Sequence, residues 1–258
     1  VVNLYHRDLG GSENPPLIVL HGLLGSSRNW QSTGADLAAR YHVYALDLRN
    51  HGHSPHADEM TFEAMAADVL GWMDTQGIAR ATLMGHSLGG KVAMLVACRH
   101  PERIERLVVV DVAPKDYELM SHRNDFAALN ELDLRTLKSR GEAELRFEAR
   151  VPSLGMRKFL ATNLERDPQT DTWRWMVNLP VLTATLPELA KNSLSAGDKF
   201  TGPTLFVIGG KSHYVDAVGD RASIETVFPS VRIETIAEAR HNPHMDSRVE
   251  FVRVILGA

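Results

Sequence analysis

Ser87 stands at the centre of Gly85-His-Ser-Leu-Gly89, between two apolar runs, Ala81-Thr-Leu-Met84 and Val92-Ala-Met-Leu-Val-Ala-Cys98. A serine hydroxyl becomes a useful nucleophile only when a base takes its proton. An imidazole does this best when a carboxylate fixes its tautomer and steadies the imidazolium. The chemistry open to Ser87 is therefore attack on an acyl carbon, provided the chain supplies a histidine and an acid. Two histidines stand late, in Glu238-Ala-Arg-His241-Asn-Pro-His244. His241 directly follows the last strand pattern and is expected as the base, with His244 as its rival or as a hydrogen-bonding neighbour. For the acid, Asp111 closes Val108-Val-Val110 and is expected to lie beside the nucleophile strand. A turn-capping role before Pro114 is its alternative, and Asp216, expected inside the following helix, is the other candidate carboxylate.

That chemistry needs a particular mounting. Gly85 and Gly89 lack Cβ atoms, so a strand and a helix can close on Ser87 and hold it on a sharp, strained turn. A helix starting at Leu88 would aim free N–H groups and its positive dipole end at negative charge developing beside the hydroxyl. Upstream, residues 17–20 and 41–46 read as strands buried on both faces, and residues 1–5 as an edge strand broken by Gly10-Gly-Ser-Glu-Asn-Pro-Pro16. Ser26 or Ser27 suits the cap of a helix through Trp30 and Leu37, and residues 61–77 place Phe62, Met65, Val69, Trp72 and Met73 on one helical face. Further strands are expected at 104–110, 203–208 and 231–236, with helices through 224–228 and 249–256. This alternation predicts an α/β fold with a mostly parallel central sheet covered by helices on both faces. Chemistry then belongs at the carboxyl ends of strands: residues 21–25, Ser87, Asp111, 209–216 and 239–244.

From about Lys115 to residue 195 the alternation stops, and charged, helix-forming residues dominate, with breaks near Gly141, Pro152, Pro168 and Pro180. The expected organisation is a core of residues 1–114 and 196–258 carrying a helical cap of 115–195. The 258-residue chain has a formal net charge of -4 with mixed signs, which offers no basic stripe for nucleic acid and no polybasic membrane patch. It contains no run able to span a bilayer and no start resembling a signal peptide, although the first residue is Val1 rather than Met and a removed leader stays open. The single cysteine, Cys98, cannot form an intrachain disulfide and reads as a small buried hydrophobe, so a reducing compartment, the cytoplasm, is expected. His51, His53 and His56 lie in a loop without a carboxylate at ligand spacing, so they read as loop-bracing and no metal is expected. Gly209-Gly210 lacks a third glycine at a helix start, so no nucleotide and no cofactor are implied.

With Ser87, Asp111 and His241 in that order, the chain resembles the α/β-hydrolase superfamily over nearly its whole length. His21-Gly22 after the first central strand and Asp47-Leu-Arg-Asn-His-Gly-His-Ser54 after the next carry the resemblance together with the Ser87 turn and His241. Within the superfamily it is similar to the small bacterial YbfF-like carboxylesterases, through Arg49-Asn-His-Gly52, Gly89-Gly-Lys91, Asp111-Val-Ala-Pro114, the segment 173–182 and Gly209-Gly-Lys-Ser-His-Tyr-Val215. The resemblance implies an α/β-hydrolase fold with a helical cap, and a serine esterase that acts on small-molecule carboxylic esters through an acyl-enzyme. It implies an oxyanion hole from the backbone N–H groups of Leu23 and Leu88, with leucines there, Leu24 among them, walling the acyl pocket. In the cap, Trp175, Met176, Leu179 and Leu182 are expected to line the pocket or to pack the cap itself. The superfamily's second acid position, after the strand at 205–208, is filled here by Ser212, which cannot hold an imidazolium by charge. Many relatives carry Gly-His-Trp where this chain has Arg240-His241-Asn242, a departure on the leaving-group side. The same scaffold admits a carbon–carbon bond hydrolase or lyase, or a haloperoxidase-like activity, and, from another class, a ligand-binding receptor with vestigial hydrolysis.

Overall fold

A computed structural model of the chain describes residues 1–118 and 120–257. The strands in chain order are β1 (His6–Asp8), β2 (Pro16–Leu20), β3 (His42–Leu46), β4 (Ala81–His86), β5 (Ile104–Val110), β6 (Leu164–Arg166), β7 (Trp173–Trp175), β8 (Thr204–Gly209) and β9 (Val231–Ile236). Seven of them form one sheet in the order β1-β3-β2-β4-β5-β8-β9, and β6 pairs with β7 alone. Only β1 runs antiparallel to its neighbour in the large sheet. Leu17, Ile18, Val19 and Leu20 of β2 are wholly buried, as an all-apolar run covered on both faces requires. Because β3 lies on one side of β2 and β4 on the other, the chain changes direction across the sheet there. The loops leaving β2 and β4 flank the crevice that opens at this switch.

The helices are α1 (Gln31–Leu37), α2 (Phe62–Thr75), α3 (Leu88–Arg99), α4 (Met120–Glu131), α5 (Arg140–Arg146), α6 (Leu154–Ala161), α7 (Leu179–Ala190), α8 (Arg221–Val227), α9 (Pro243–Asp246) and α10 (Arg248–Leu256). One apolar layer joins α2, α3 and α8 to the sheet through Val69, Trp72, Val92, Val96, Ile224 and Phe228. The other joins α1 and α10 through Leu37, Phe251 and Ile255. Thr61 starts α2 as its cap, with Oγ1 accepting from the Ala64 N–H at 3.1 Å. Among the described residues no helix is long and apolar enough to cross a membrane. Cys98 is partly rather than fully buried, and the burial it has pushes its thiol up to about 12.

Three elements differ from the sequence-based expectation. The edge strand falls at His6–Asp8 rather than 1–5, because the first residues are held by other bonds: Val2 N–H donates to Asp68 Oδ1 at 2.7 Å, and Tyr5 O accepts from Asp47 N–H at 2.9 Å. The helix expected from Ser26 or Ser27 begins with a 3-10 turn, Ser27–Trp30, before α1. The segment between β5 and β8 holds α4 to α7 but also the antiparallel β6–β7 pair. Its register sets Glu165 opposite Arg174, which form an ion pair at 2.6 Å. Asp167 closes the connecting turn by accepting from the N–H groups of Gln169 and Thr170. Gly141 and Pro180 lie in the first turns of α5 and α7, positions where neither breaks a helix.

Candidate active site

Ser87 sits between β4 and α3 with φ 50° and ψ -114°, a conformation that costs a non-glycine residue about 1–3 kcal/mol and persists only where its surroundings demand it. Those surroundings are close. A Cβ on Gly85 would lie 2.1 Å from Gly89 O, and one on Gly89 would lie 2.6 Å from His21 O. The turn is held by Ser87 N–H on Val110 O at 3.0 Å, Gly89 N–H on His21 O at 3.1 Å and Lys91 N–H on Ser87 O at 3.0 Å. Among the described residues the amides of Leu23 and Leu88 donate to no acceptor, and both residues line the cavity that Ser87 lines.

Asp111 follows β5, whose Val110 pairs with His86 of β4, so the carboxylate stands one strand from Ser87. Its side chain is wholly buried and its φ is 51°. Oδ1 accepts from Gly209 N–H at 2.9 Å, and Oδ2 accepts from Ser212 Oγ at 2.5 Å and from His241 Nδ1 at 2.8 Å. That last bond leaves Nε2 of His241 as the basic nitrogen. Tyr214 stacks on the His241 ring with centroids 3.6 Å apart and also lines the Ser87 cavity, so the imidazole stands at the cavity edge. No described residue hydrogen-bonds the Ser87 hydroxyl directly, a looseness common in sites without substrate.

His244 and Asp216 occupy different settings. His244 is buried, stacks on Trp30 at 4.2 Å, and its Nδ1 has no hydrogen-bond partner. Burial, with His241 nearby, pushes its pKa down to about 3, so it stays neutral. Asp216 lies in the turn before α8 rather than inside it, is exposed, and accepts from Val218 N–H at 2.9 Å. His86, buried beside both late histidines, donates from Nε2 to His241 O at 2.7 Å and so ties the loop after β9 to the end of β4.

The loop bearing Leu23 is braced by two other neutral histidines. His21 donates from Nδ1 to Gly22 O at 2.8 Å and accepts at Nε2 from Leu48 N–H at 3.0 Å. His51 donates from Nδ1 to Arg49 O at 3.0 Å and accepts at Nε2 from Leu24 N–H at 3.2 Å. Burial pushes His51 down to about 3 and lowers His21 as well. Arg49 in turn is anchored to α2 by a buried ion pair with Asp68 at 2.6 Å.

The cavity at Ser87 opens to solvent. Leu23, Leu88 and Val112 wall it from the sheet side and Leu186, Leu189 and Ala190 from α7, with Glu118, His122 and Tyr214 adding polar groups. Leu24, Trp175, Met176 and Leu179 are not among its lining residues. Leu24 spends its backbone on His51 and on Asn163 Nδ2. The Trp175–Leu179 stretch docks elsewhere, with Met176 N–H on Asn163 O at 2.8 Å and Asn178 N–H on Asn50 O at 3.0 Å. Tyr214, His86 and Lys91 contact the site without having been singled out in the sequence, and Ser212, noted there only as the occupant of the second acid position, bonds the Asp111 carboxylate. Each stood inside a motif that carried the resemblance or beside Ser87, but no local spacing gave it a role.

The alpha/beta hydrolase fold family model matches residues 15–247. The chain is 34% identical over 253 residues to the sn-1-specific diacylglycerol lipase ABHD11 of Mus musculus, covering 95% of this chain and 81% of that one. It is 33% identical over 243 residues to esterase YbfF of Escherichia coli, covering 94% and 92%. A solved structure of a marine microorganism esterase superposes with a TM-score of 0.96 at 32% identity, covering 100% and 99%. The chain belongs to the alpha/beta hydrolase family.

Proposed function

We propose that Ser87, His241 and Asp111 are the nucleophile, base and acid of a serine carboxylesterase. The enzyme class is that of its relatives, a carboxylic ester hydrolase. The observation that carries the assignment is the 2.8 Å bond from His241 Nδ1 to the buried Asp111 carboxylate at the edge of the cavity that Ser87 lines.

In this reading Nε2 of His241 takes the Ser87 proton as Oγ attacks the ester carbon. The resulting oxyanion falls to the unengaged amides of Leu23 and Leu88, each such donor being worth about 2.7–4 kcal/mol in the transition state. His241 then returns the proton to the departing alcohol, and a water activated by the same nitrogen frees the acyl group. Asp111 stays ionised throughout, steadied by Gly209 N–H and the Ser212 hydroxyl. Residues 115–195 act as a cap whose α7 closes the cavity. The substrate is a small-molecule ester, and the lone Cys98 fits a cytoplasmic setting. An organophosphonate probe should add to the wild-type protein once and not to Ser87→Ala, read by intact-protein mass. Full labelling of the variant would remove Ser87 from the role.

A further inference from the structure

Among the described residues Lys91 is the one charged side chain of the cavity wall that is almost fully buried, and the proposed reaction gives it no part. It lies one helical turn beyond Ser87 on α3. An ammonium has three donors and no acceptor, and all three are engaged here: Nζ donates to Leu189 O at 3.1 Å, Ala190 O at 2.9 Å and Lys191 O at 2.6 Å. These carbonyls end α7, where no intrahelical donor remains and the helix dipole is negative. The helix that begins beside Ser87 thus caps, by a side chain, a helix that also lines the cavity. Ser193 returns the contact, its Oγ donating to Lys91 O at 2.9 Å, and the Tyr117 ring lies 4.9 Å from Nζ. Burial lowers the Lys91 pKa to about 8, opposed by Asp116, so the cation is held at some cost.

Leu186, Leu189 and Ala190 of α7 line the same cavity as Leu23, Leu88 and Val112. Where the end of α7 stands therefore determines how much apolar bulk fits beside Ser87. We propose that Lys91 is a specificity-determining positioning residue: by capping α7 from the nucleophile helix it sets the width of the cavity and so selects among apolar acyl groups by length. The proposal rests on the esterase reading of the site.

The test is a series of esters of one chromogenic alcohol, from acetate to octanoate, with kcat and KM measured separately for wild type and Lys91→Met. Methionine fills the volume but takes the Nζ donor from all three carbonyls, of which only Ala190 O keeps another, the Tyr117 N–H at 2.9 Å. The advantage in kcat/KM of the best acyl chain over acetate should shrink roughly tenfold, the size of effect a redefined apolar pocket gives, and mainly through KM. An unchanged ratio, or an equal fall in kcat on every ester with KM constant, overturns the proposal. Should Lys91→Met not fold, Lys91→Gln keeps two donors and should shrink the ratio about threefold, and an unchanged ratio there overturns it equally. Organophosphonate labelling of each protein separates the two failures. A wild type that neither labels nor turns over any ester defeats the esterase reading, whereas labelled variants with the wild-type profile defeat only the role of Lys91.

Discussion

The loops after β2 and β3 and the loop after β9 each bring histidines to the rim of one crevice, yet they give Nδ1 different partners. In the first region His21 and His51 donate to the carbonyls of Gly22 and Arg49 while Nε2 accepts from a backbone N–H. Both nitrogens of each ring are spent on the loop, and burial keeps the rings neutral. In the second region His241 donates to a carboxylate, is about a quarter exposed, and keeps Nε2 uncommitted. A carbonyl orients an imidazole, but only a carboxylate also stabilises its cation. The same residue type therefore braces one side of the crevice and is proposed to move a proton on the other.

The largest expected effect tests that division directly. His241→Ala should lower kcat by about 10⁴ or more, as loss of a base does in enzymes that rely on one. Its fold should survive, because the His86 bond goes to the backbone carbonyl of His241. His244→Ala should lower kcat far less and instead reduce the melting temperature, since it empties the stack on Trp30. Steady-state kinetics and thermal melts of the two variants check this, and the reverse ranking would mean that the wrong ring has been given the proton.

The next effect probes the carboxylate. In Asp111→Asn the side-chain amide offers a donor where Oδ2 accepted, which favours the proton on Nε2 of His241 and removes the basic nitrogen from the cavity. A fall in kcat of up to about 10⁴ with an intact fold is expected, as when a triad acid becomes its amide. Asp216→Asn, in an exposed turn, should leave kcat within a few-fold of wild type. A silent Asp111→Asn would dissolve the contrast between the two histidine regions.

Much of this was legible in the residues alone, for a physical reason. Ser87, Asp111 and His241 each stand just past the carboxyl end of a strand or its short connecting loop, where a parallel sheet exposes side chains, and the apolar runs before them mark those strands. Ser212 and Lys91 were not legible, because their partners lie about a hundred residues away: Asp111 for one, the end of α7 for the other. Apolar character announced that Leu24, Trp175, Met176 and Leu179 are sheltered, without saying against what. Trp175 pairs with Leu164 and Met176 bonds Asn163, and neither is among the residues that line the cavity at Ser87. The β6–β7 pair escaped because three residues are too few for a two-residue period to stand out.

The smallest effect concerns stability in acid and probes the bracing rings. His51 and His244 have pKa values of about 3 in the folded chain against an ordinary 6.5. Between those values the unfolded chain binds more protons, so stability is complete above pH 6.5 and is lost as the pH falls toward 3. From pH 6.5 to 5, a span of 1.5 units, each ring should cost about 2 kcal/mol. Carboxylates held low by hydrogen bonds, such as Asp8 and Asp216, lose their contribution only below about 3.8 and leave this window clear. Urea unfolding at half-unit steps from pH 5 to 7 should therefore show free energy rising with pH. His51→Gln, whose side-chain oxygen can still accept from Leu24 N–H, should flatten that slope by about one proton, or ~1.4 kcal/mol per pH unit at the steepest. A slope unchanged in His51→Gln would show that the brace is protonated in the folded protein, and the two regions would then no longer differ in the way their hydrogen bonds require.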